Sequence, residues 1–212
     1  LRLTGPEDAE EATNVIANAD FERITTFAPA ASLVDTLTWG YNSVVPDWTL
    51  GSLSGGNATG VSSCPGTRLT STYKTSSGQT VLFVQVDGYA ETTFALPARG
   101  WYRLDFTAFK RNLSSSPFGL LDVLVDGAFV GRIQVNRIDP RTFALRFPSP
   151  LAAGTHTLRF QGVLAPNATN PDANYDTMAL IDDIRVTEDQ SRLGENLVVN
   201  GGFETHDTLA TG

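Results

Sequence analysis

Apolar and polar residues alternate with a period of two along most of the chain between residues 14 and 187. This period is typical of strands that bury one face, whereas no window shows an amphipathic helix with capping residues. The clearest case is the segment 101–109. We expect its core face to carry Tyr102, Leu104, Phe106 and Ala108, and its other face to carry Trp101, Arg103, Asp105, Thr107 and Phe109.

Further alternating segments are separated by turn residues throughout the chain. The dipeptide Asp126-Gly127 interrupts one such run and predicts a hairpin with a tight turn. The stretches 51–78 and 166–176 are rich in turn residues and read as surface loops. Many short strands spaced in this way predict an all-β fold, an antiparallel β-sandwich. The other predicted strands cover residues 81–86, 121–125, 129–133, 155–162 and 178–186.

Two parts of the sequence repeat near the end of the chain. Residues 14–22 return as residues 196–204, and the sequence of residues 1–4 is echoed by residues 184–187. A period above 150 residues indicates whole domains in series, since solenoid repeats run at about 20 to 50 residues. The predicted organisation is the last strand of a preceding repeat (1–4), a linker (5–13), one complete module (14–187), a second linker (188–195) and the start of a following repeat (196–212).

Composition narrows the classes of partner. The chain has 212 residues, 41% of them hydrophobic, which suits one sizeable domain with a real core. Its 23 acidic and 15 basic residues give a net charge of -8, which disfavours nucleic acid, because that affinity comes from clustered Lys and Arg. No apolar run reaches the 18 or so residues of a membrane span, so membrane insertion is not expected. Cys64 has no partner cysteine and reads as an incidental loop thiol.

The chemistry-bearing residues do not suggest an enzyme. His156 and His206 are the only histidines, and no nucleophile motif, metal-binding His motif or phosphate-cradling glycine loop is present. Adjacent carboxylates such as Asp182 and Asp183 would point to opposite faces of a strand and cannot flank one bond. We therefore expect a noncatalytic domain.

A series of short motifs resembles the galactose-binding-like jelly rolls, and among them the carbohydrate-binding modules of families 4, 16 and 22. The resemblance covers about 175 residues, from 14 to 187, and each motif follows in the family's order. It implies a β-sandwich, noncatalytic carbohydrate binding in many members and often a structural calcium ion. The motifs are Asn-x-x-Phe-Glu at 18–22 and the segments 47–49, 78–85, 100–106, 123–127, 153–158 and 181–184.

The resemblance also implies where calcium would lie. In such relatives the ion is held by the Glu of the first-strand motif, by a carboxylate near the last strand and by backbone carbonyls. Glu22 and either Asp182 or Asp183 match those positions. Such an ion would tie the first strand to the last. The alternative is that Glu22 is solvated and that one Asp only ends a ladder.

Sugar recognition combines an aromatic face with planar polar side chains that satisfy hydroxyl groups. One candidate surface is the noncore face of the 101–109 strand, joined by residues of strands that could adjoin it. A second candidate is the aromatic pair Trp39 and Tyr41, expected in a loop near one end of the sandwich. The alternatives are that Trp101 is simply buried and that the pair packs against an adjoining module. The first surface comprises Trp101, Arg103, Asp105, Gln85, Arg159 and Gln161.

Two functions are compatible with these observations. The first is a noncatalytic carbohydrate-binding module that targets a polysaccharide in a secreted or cell-surface protein and gains strength from repetition. The second is a structural or adhesive repeat of a stalk, surface layer or filament, in which contacts between neighbouring repeats carry the load. The two differ in whether an isolated module binds any sugar.

Overall fold

The computed structural model describes residues 14–24, 39–41, 43–63, 80–114, 116–167 and 170–192. Thirteen strands and one short 3-10 turn, Gln190–Arg192, lie in these ranges. The strands are β1 Trp39–Tyr41, β2 Trp48–Ser52, β3 Thr59–Ser63, β4 Thr80–Val84, β5 Gly88–Leu96, β6 Tyr102–Lys110, β7 Gly119–Val125, β8 Ala128–Val135, β9 Arg141–Arg146, β10 Gly154–Gly162, β11 Pro166–Asn167, β12 Asn170–Asn174 and β13 Ala179–Glu188. No helix in the described ranges is long and apolar enough to cross a bilayer.

The strands form two large antiparallel sheets. A six-stranded sheet has the order β1-β3-β4-β13-β6-β9, and a five-stranded sheet has the order β2-β5-β10-β7-β8. The small pair β11-β12 stands apart from both. The prediction of an all-β antiparallel sandwich is confirmed.

The core lies between the two large sheets and is built by strand alternation. Strand β7 shows it most plainly, since buried and half-buried residues alternate along its whole length. Phe106 of β6 meets Phe160 of β10 edge to face, with ring centroids 5.1 Å apart. The predicted core face of β6 is confirmed, because Tyr102, Leu104, Phe106 and Ala108 are all buried in this cluster.

The Asp126-Gly127 hairpin is also confirmed. Val125 of β7 pairs with Ala128 of β8, so two residues connect the strands. Asp126 and Gly127 adopt φ values of 51° and 77°. Positive φ at both central residues is what a type I′ turn requires, and Asp and Gly accept it at low cost.

Four predicted elements differ from the structure. Residues 14–24, expected from the family resemblance to begin with a strand, form turns, and Asn18 and Phe21 adopt φ values of 48° and 55°. The aromatic pair expected in a loop lies in β1 instead. The predicted loop 51–78 contains the end of β2 and all of β3, and the predicted loop 166–176 contains the antiparallel pair β11 and β12.

Strand β3 escaped prediction because its small residues do not alternate with polar ones. The sequence of Thr59–Ser63 is TGVSS, and four of its five residues are buried. A Cβ at Gly60 would collide with the Gly40 carbonyl and would lie 2.7 Å from the Phe83 ring. Glycine therefore permits the close approach of β1 to β3.

Several predictions concern residues outside the described ranges. They are the preceding strand and linker at 1–13, the end of the second linker and the start of the following repeat at 193–212, and the thiol of Cys64. The described part of the predicted linker 188–195 is attached to the six-stranded sheet. The Asp189 amide donates to the Trp101 carbonyl over 2.9 Å, and the Asp189 carboxylate lies 3.0 Å from Arg146 Nε. Residues 188–192, predicted to belong to a linker, thus pack on the module.

Candidate functional site

The residues predicted to form one sugar-binding surface lie on two different sheets. Arg103 and Asp105 belong to β6 of the six-stranded sheet, whereas Arg159 and Gln161 belong to β10 of the five-stranded sheet. The prediction that these strands adjoin is wrong. Alternation shows which side of a strand faces the core, but it does not show in which sheet the strand lies.

Trp101 does not offer an open ring face. It immediately precedes β6, and the guanidinium carbon of Arg192 lies 3.3 Å from the centroid of its ring. Its indole Nε1 is buried. The 3-10 turn therefore covers the side chain that we expected to stack on a sugar.

Arg103 and Asp105 form an ion pair on the outer face of the six-stranded sheet. Arg103 Nε lies 2.9 Å from Asp105 Oδ2, and the Arg103 side chain is 46% exposed. Arg103 stands directly opposite Arg146 of β9, and Asp105 stands opposite Arg185 of β13. This half of the outer face is thus rich in arginine.

Gln85 joins the aromatic pair of β1 rather than the predicted surface. Its Nε2 donates to Tyr41 Oη over 3.0 Å. The rings of Trp39 and Tyr41 meet edge to face at 5.3 Å, and Tyr41 also meets Phe83 at 5.3 Å. The pair packs on a second apolar cluster, which consists of Val81, Phe83, Phe109, Met178 and Leu180.

The outer face of the five-stranded sheet carries a different set of side chains, arranged in two rows across the strands. The row positions follow from the pairing registers of β2, β5, β10, β7 and β8. Five strands at a spacing of about 4.8 Å span about 19 Å. The first row is Thr49, Glu91, Arg159, Leu124 and Phe129, and the second is Gly51, Tyr89, Gln161, Asp122 and Arg132. We call these two rows the polar face.

Two ion pairs orient the planar groups of the polar face. Arg159 Nε lies 2.7 Å from Glu91 Oε2, and its guanidinium lies 4.5 Å from the centroid of the Tyr89 ring. Arg132 binds both oxygens of Asp122, at 2.6 and 2.8 Å. This bidentate bond raises the pKa of Arg132. The face therefore carries two positive and two negative charges, fixed in mutual register.

The middle of the polar face holds an amide. Gln161 lies between Tyr89 and Asp122 in its row and is half-buried, and it makes no side-chain hydrogen bond with any described residue. Beside it, the Tyr89 phenol end lies over Gly51, where a Cβ would come within 2.7 Å of the ring. Glycine at that position makes room for the ring.

An exposed aromatic side chain borders the polar face at its β8 edge. Phe129 is 58% exposed and pairs with Leu124. Arg159 and Gln161 of this face were predicted from the sequence as site residues, whereas Tyr89, Glu91, Asp122, Arg132 and Phe129 were not. The alternation of residues 88–96, with Tyr89 and Glu91 at noncore positions, was the available signal.

The predicted calcium residues lie close to one end of the β4–β13 pair. Glu22 Oε1 accepts the Thr80 amide over 2.8 Å. Asp182, which is fully buried, follows Ile181, the partner of Leu82 in β4. Asp183 adopts a φ of 52° at the irregular part of β13. Among the described residues, no group of three or more His, Cys, Asp or Glu side chains could hold a metal ion. The calcium ion stays a prediction.

No protein-family model matches the chain, and no curated protein matches it. The chain does match solved structures. A family 61 carbohydrate-binding module in complex with β-1,4-galactotriose matches at 16% identity with a TM-score of 0.46, covering 83% of this chain and 99% of that one. A family 35 carbohydrate-binding module from Clostridium thermocellum matches at 14% identity with a TM-score of 0.43, covering 66% and 98%. The K1 cleaved adhesin domain of Lys-gingipain from Porphyromonas gingivalis matches at 12% identity with a TM-score of 0.47, covering 73% and 99%.

Proposed function

We propose that the protein is a noncatalytic module that binds a neutral glycan on the polar face. The observation that carries this proposal is the Gln161 amide, half-buried at the centre of the face with no hydrogen bond to the described residues. An amide offers both donors and an acceptor, which match the hydroxyl groups of a sugar. A half-buried polar group gains when a ligand supplies the missing partners.

The charges of the polar face favour a neutral ligand. Arg159 pairs with Glu91, and Arg132 pairs with Asp122, so the face has no net charge. Arg159 contacts Glu91 through Nε. Its Nη groups are further donors of a guanidinium that has five. These preset planar groups would bind hydroxyls without the reorganisation cost that mobile side chains carry.

The extent of the polar face favours an extended oligosaccharide. The two rows span about 19 Å across five strands, which is longer than a single sugar ring. Phe129 offers an exposed aromatic surface at one end, where the apolar side of a sugar ring would rest.

The carboxylates of the polar face support a binding role rather than hydrolysis. Glu91 lies on β5 and Asp122 on β7, with β10 between them. Their strands are therefore two spacings apart, about 10 Å in all. Each is engaged by an arginine, Glu91 by Arg159 at 2.7 Å and Asp122 by Arg132 at 2.6 Å.

We place this activity in an extracellular protein of repeated modules, as the sequence echo and the family resemblance suggest. Repetition would multiply a weak affinity by about 10² to 10⁴ where geometry lets two modules engage one chain. A structural calcium ion at Glu22 and either Asp182 or Asp183 belongs to the same proposal. A melting temperature that is unchanged by chelator would contradict the ion.

A second candidate function is a structural or adhesive repeat. It is favoured by the ion pairs themselves, since the four charged groups of the polar face already satisfy one another at 2.6 to 2.8 Å. A solvated sheet surface that binds no ligand would have the same ion pairs.

Affinity electrophoresis of the full chain separates the two candidates. The gels would contain galactan, mannan, xylan, β-glucan or, as the acidic comparison, polygalacturonate. Arg159→Ala and Gln161→Ala test the polar face, and Arg103→Ala is the matched control, because Arg103 is also an ion-paired, partly exposed arginine but lies on the other sheet.

We expect retardation by at least one neutral polysaccharide, weakened roughly fivefold or more by each polar-face variant and unchanged by Arg103→Ala. Loss of retardation in Arg103→Ala alone would move the site to the six-stranded sheet. A folded chain that no polysaccharide retards would establish the structural repeat as the better account.

A further inference from the structure

The segment 14–24 fills a seam beside the irregular part of β13. The register of β13 shifts between Asp182 and Arg185, which leaves backbone groups there without their usual strand partners. Asn14 Nδ2 donates to the Ile184 carbonyl over 2.7 Å, and the Ile184 amide donates to the Ala19 carbonyl over 3.2 Å. The segment therefore completes the hydrogen bonding of the bulged strand.

Two more side chains fix the segment to the entry of β2. Asn18 Nδ2 donates to the carbonyls of Arg23 and Pro46 at 3.0 and 3.1 Å, and its Oδ1 accepts the Arg23 amide at 3.1 Å. Phe21 is fully buried, and its ring centroid lies 5.1 Å from that of Trp48. The Trp48 indole in turn donates to the Asn18 carbonyl over 3.3 Å.

The last anchor is Glu22, whose Oε1 accepts the amide of Thr80 at the start of β4. The segment is thus held by four side chains, Asn14, Asn18, Phe21 and Glu22. Their contacts lie on three separate parts of the sandwich: the bulge of β13, the entry and start of β2, and the first residue of β4.

The sequence of this segment occurs a second time at residues 196–204. Of the nine aligned positions, those occupied by identical residues are the positions of the four anchors. The residues are Asn196, Asn200, Phe203 and Glu204, in place of Asn14, Asn18, Phe21 and Glu22. The other five positions differ. The residues kept in the second copy are therefore those whose side chains make the seam contacts in the first.

We propose that residues 196–204 are a docking sequence for the seam of a second β-sandwich of this kind. The seat is formed by Ile184, Pro46, Trp48 and Thr80, or by their equivalents in the partner. The chain's own seat is already filled by residues 14–22, so the partner is a second sandwich whose seat is not filled by a segment of its own. This inference is independent of glycan binding, which involves the outer face of the five-stranded sheet.

A synthetic peptide of residues 195–206 tests the proposal on the full chain. The receptor is the full chain with Phe21→Ala, which vacates the pocket beside Trp48, and with Phe203→Ala, which removes the internal competitor.

We expect the labelled peptide to bind this chain saturably in fluorescence anisotropy and to raise its melting temperature. A peptide with Phe203→Ala should bind roughly a hundredfold more weakly or worse, because truncating a buried Phe costs about two or more factors of ten. The wild-type chain, whose seat is filled, should bind neither peptide in that range.

Two results would overturn the docking proposal. Equal binding to the opened and the wild-type chains would place the peptide elsewhere and overturn the proposal. If Phe21→Ala prevents folding, the milder Phe21→Leu chain is the receptor, and failure of the peptide to bind it or to restore near-ultraviolet circular dichroism would also overturn it.

Light scattering distinguishes a second sandwich from the chain's own. The single Phe21→Ala variant, with Phe203 intact, should form concentration-dependent dimers that disappear in the double variant. A monomer that melts above the double variant at every concentration would show docking within one chain and would contradict a second sandwich as the partner.

Discussion

The outer faces of the two large sheets arise from the same alternation but differ in what covers them. On the five-stranded sheet, outward residues such as Arg159 and Phe129 reach solvent. On the six-stranded sheet, outward Phe109 and Leu180 are fully buried, while Arg103 of the same sheet is exposed. A strand position that faces away from the main core is therefore not necessarily exposed to solvent.

Charge distinguishes the two faces as well. The polar face of the five-stranded sheet balances two arginines against two carboxylates. On the exposed half of the six-stranded sheet, Arg103, Arg146 and Arg185 lie around Asp105. The buried Asp189 carboxylate contacts Arg146. The hydrogen bond from Ser191 lowers the pKa of Asp189, and the charges of Arg146 and Arg103 add to this. The polar face therefore carries no net charge, whereas the exposed half of the other face has three arginines against two carboxylates.

The largest expected effect concerns the covered half of the six-stranded sheet. Phe109→Ala should lower the free energy of unfolding by about 3 to 5 kcal/mol, as for a core position, because Phe109 is fully buried although it faces away from the main core. Phe129→Ala, the exposed counterpart on the other face, should change it by about 0.5 kcal/mol or less. Denaturant unfolding of both variants measures these changes. Similar losses of unfolding free energy for Phe109→Ala and Phe129→Ala would contradict the difference between the two faces.

A smaller effect is expected where the polar face depends on glycine. Gly51→Ala should cost about 1 to 3 kcal/mol, because the new Cβ would meet the Tyr89 ring at 2.7 Å and displace it. Thr49→Ala, on an exposed position of the same strand, is the control and should be nearly neutral. The same unfolding measurement decides the point. A neutral Gly51→Ala would mean that Tyr89 is not held in place over β2.

The smallest expected effect is a pH dependence at the β7–β8 turn. His156 Nδ1 lies 2.7 Å from Asp126 Oδ2, and its Nε2 lies 2.9 Å from the Ala152 carbonyl. Burial lowers the pKa of His156, but the hydrogen bond to Asp126, the bond to Ala152 and the Asp126 charge raise it above 6.5 overall. Burial raises the pKa of Asp126, yet the bonds from His156 and Thr157 lower it below 3.8 overall.

The pair therefore stabilises the fold most between about pH 4 and pH 6.5. The His156 contribution is complete below its unfolded pKa and is lost as pH rises through its folded pKa. The Asp126 contribution is lost as pH falls through the folded pKa of that carboxyl. Relative to Asp126→Asn, which keeps the turn, the wild-type melting temperature should be higher by about 2 °C or less in this window. A difference independent of pH would contradict the assignment.

The sequence was sufficient for the fold class and for the core face of β6, because period-two alternation and the Asp126-Gly127 turn are local signals. It was not sufficient for the site. Arg159 and Gln161 were correctly placed on one face of one strand, but their neighbours depend on sheet order, which alternation does not encode. For Trp101 the sequence left open whether the ring is exposed or covered, because the residue that covers it, Arg192, belongs to a turn far along the chain.

The segment 14–24 also differs from its prediction. The family resemblance implied a first strand there, whereas Asn18 and Phe21 adopt positive φ and the segment forms turns that fit the seam. Asparagine accepts this conformation readily, but phenylalanine does so only when tertiary contacts compensate. Those contacts, with Trp48 above all, are not visible in the sequence.

Amide chemical-shift mapping shows whether a neutral glycan binds the polar face. The full chain would be titrated with an oligosaccharide of whichever neutral polysaccharide retards it in gels. We expect the shifts to cluster on β5, β10, β7 and β8, around Tyr89, Gln161 and Asp122. Shifts confined to residues 101–105 and 185–192, or to the Trp39 and Tyr41 pair, would contradict it.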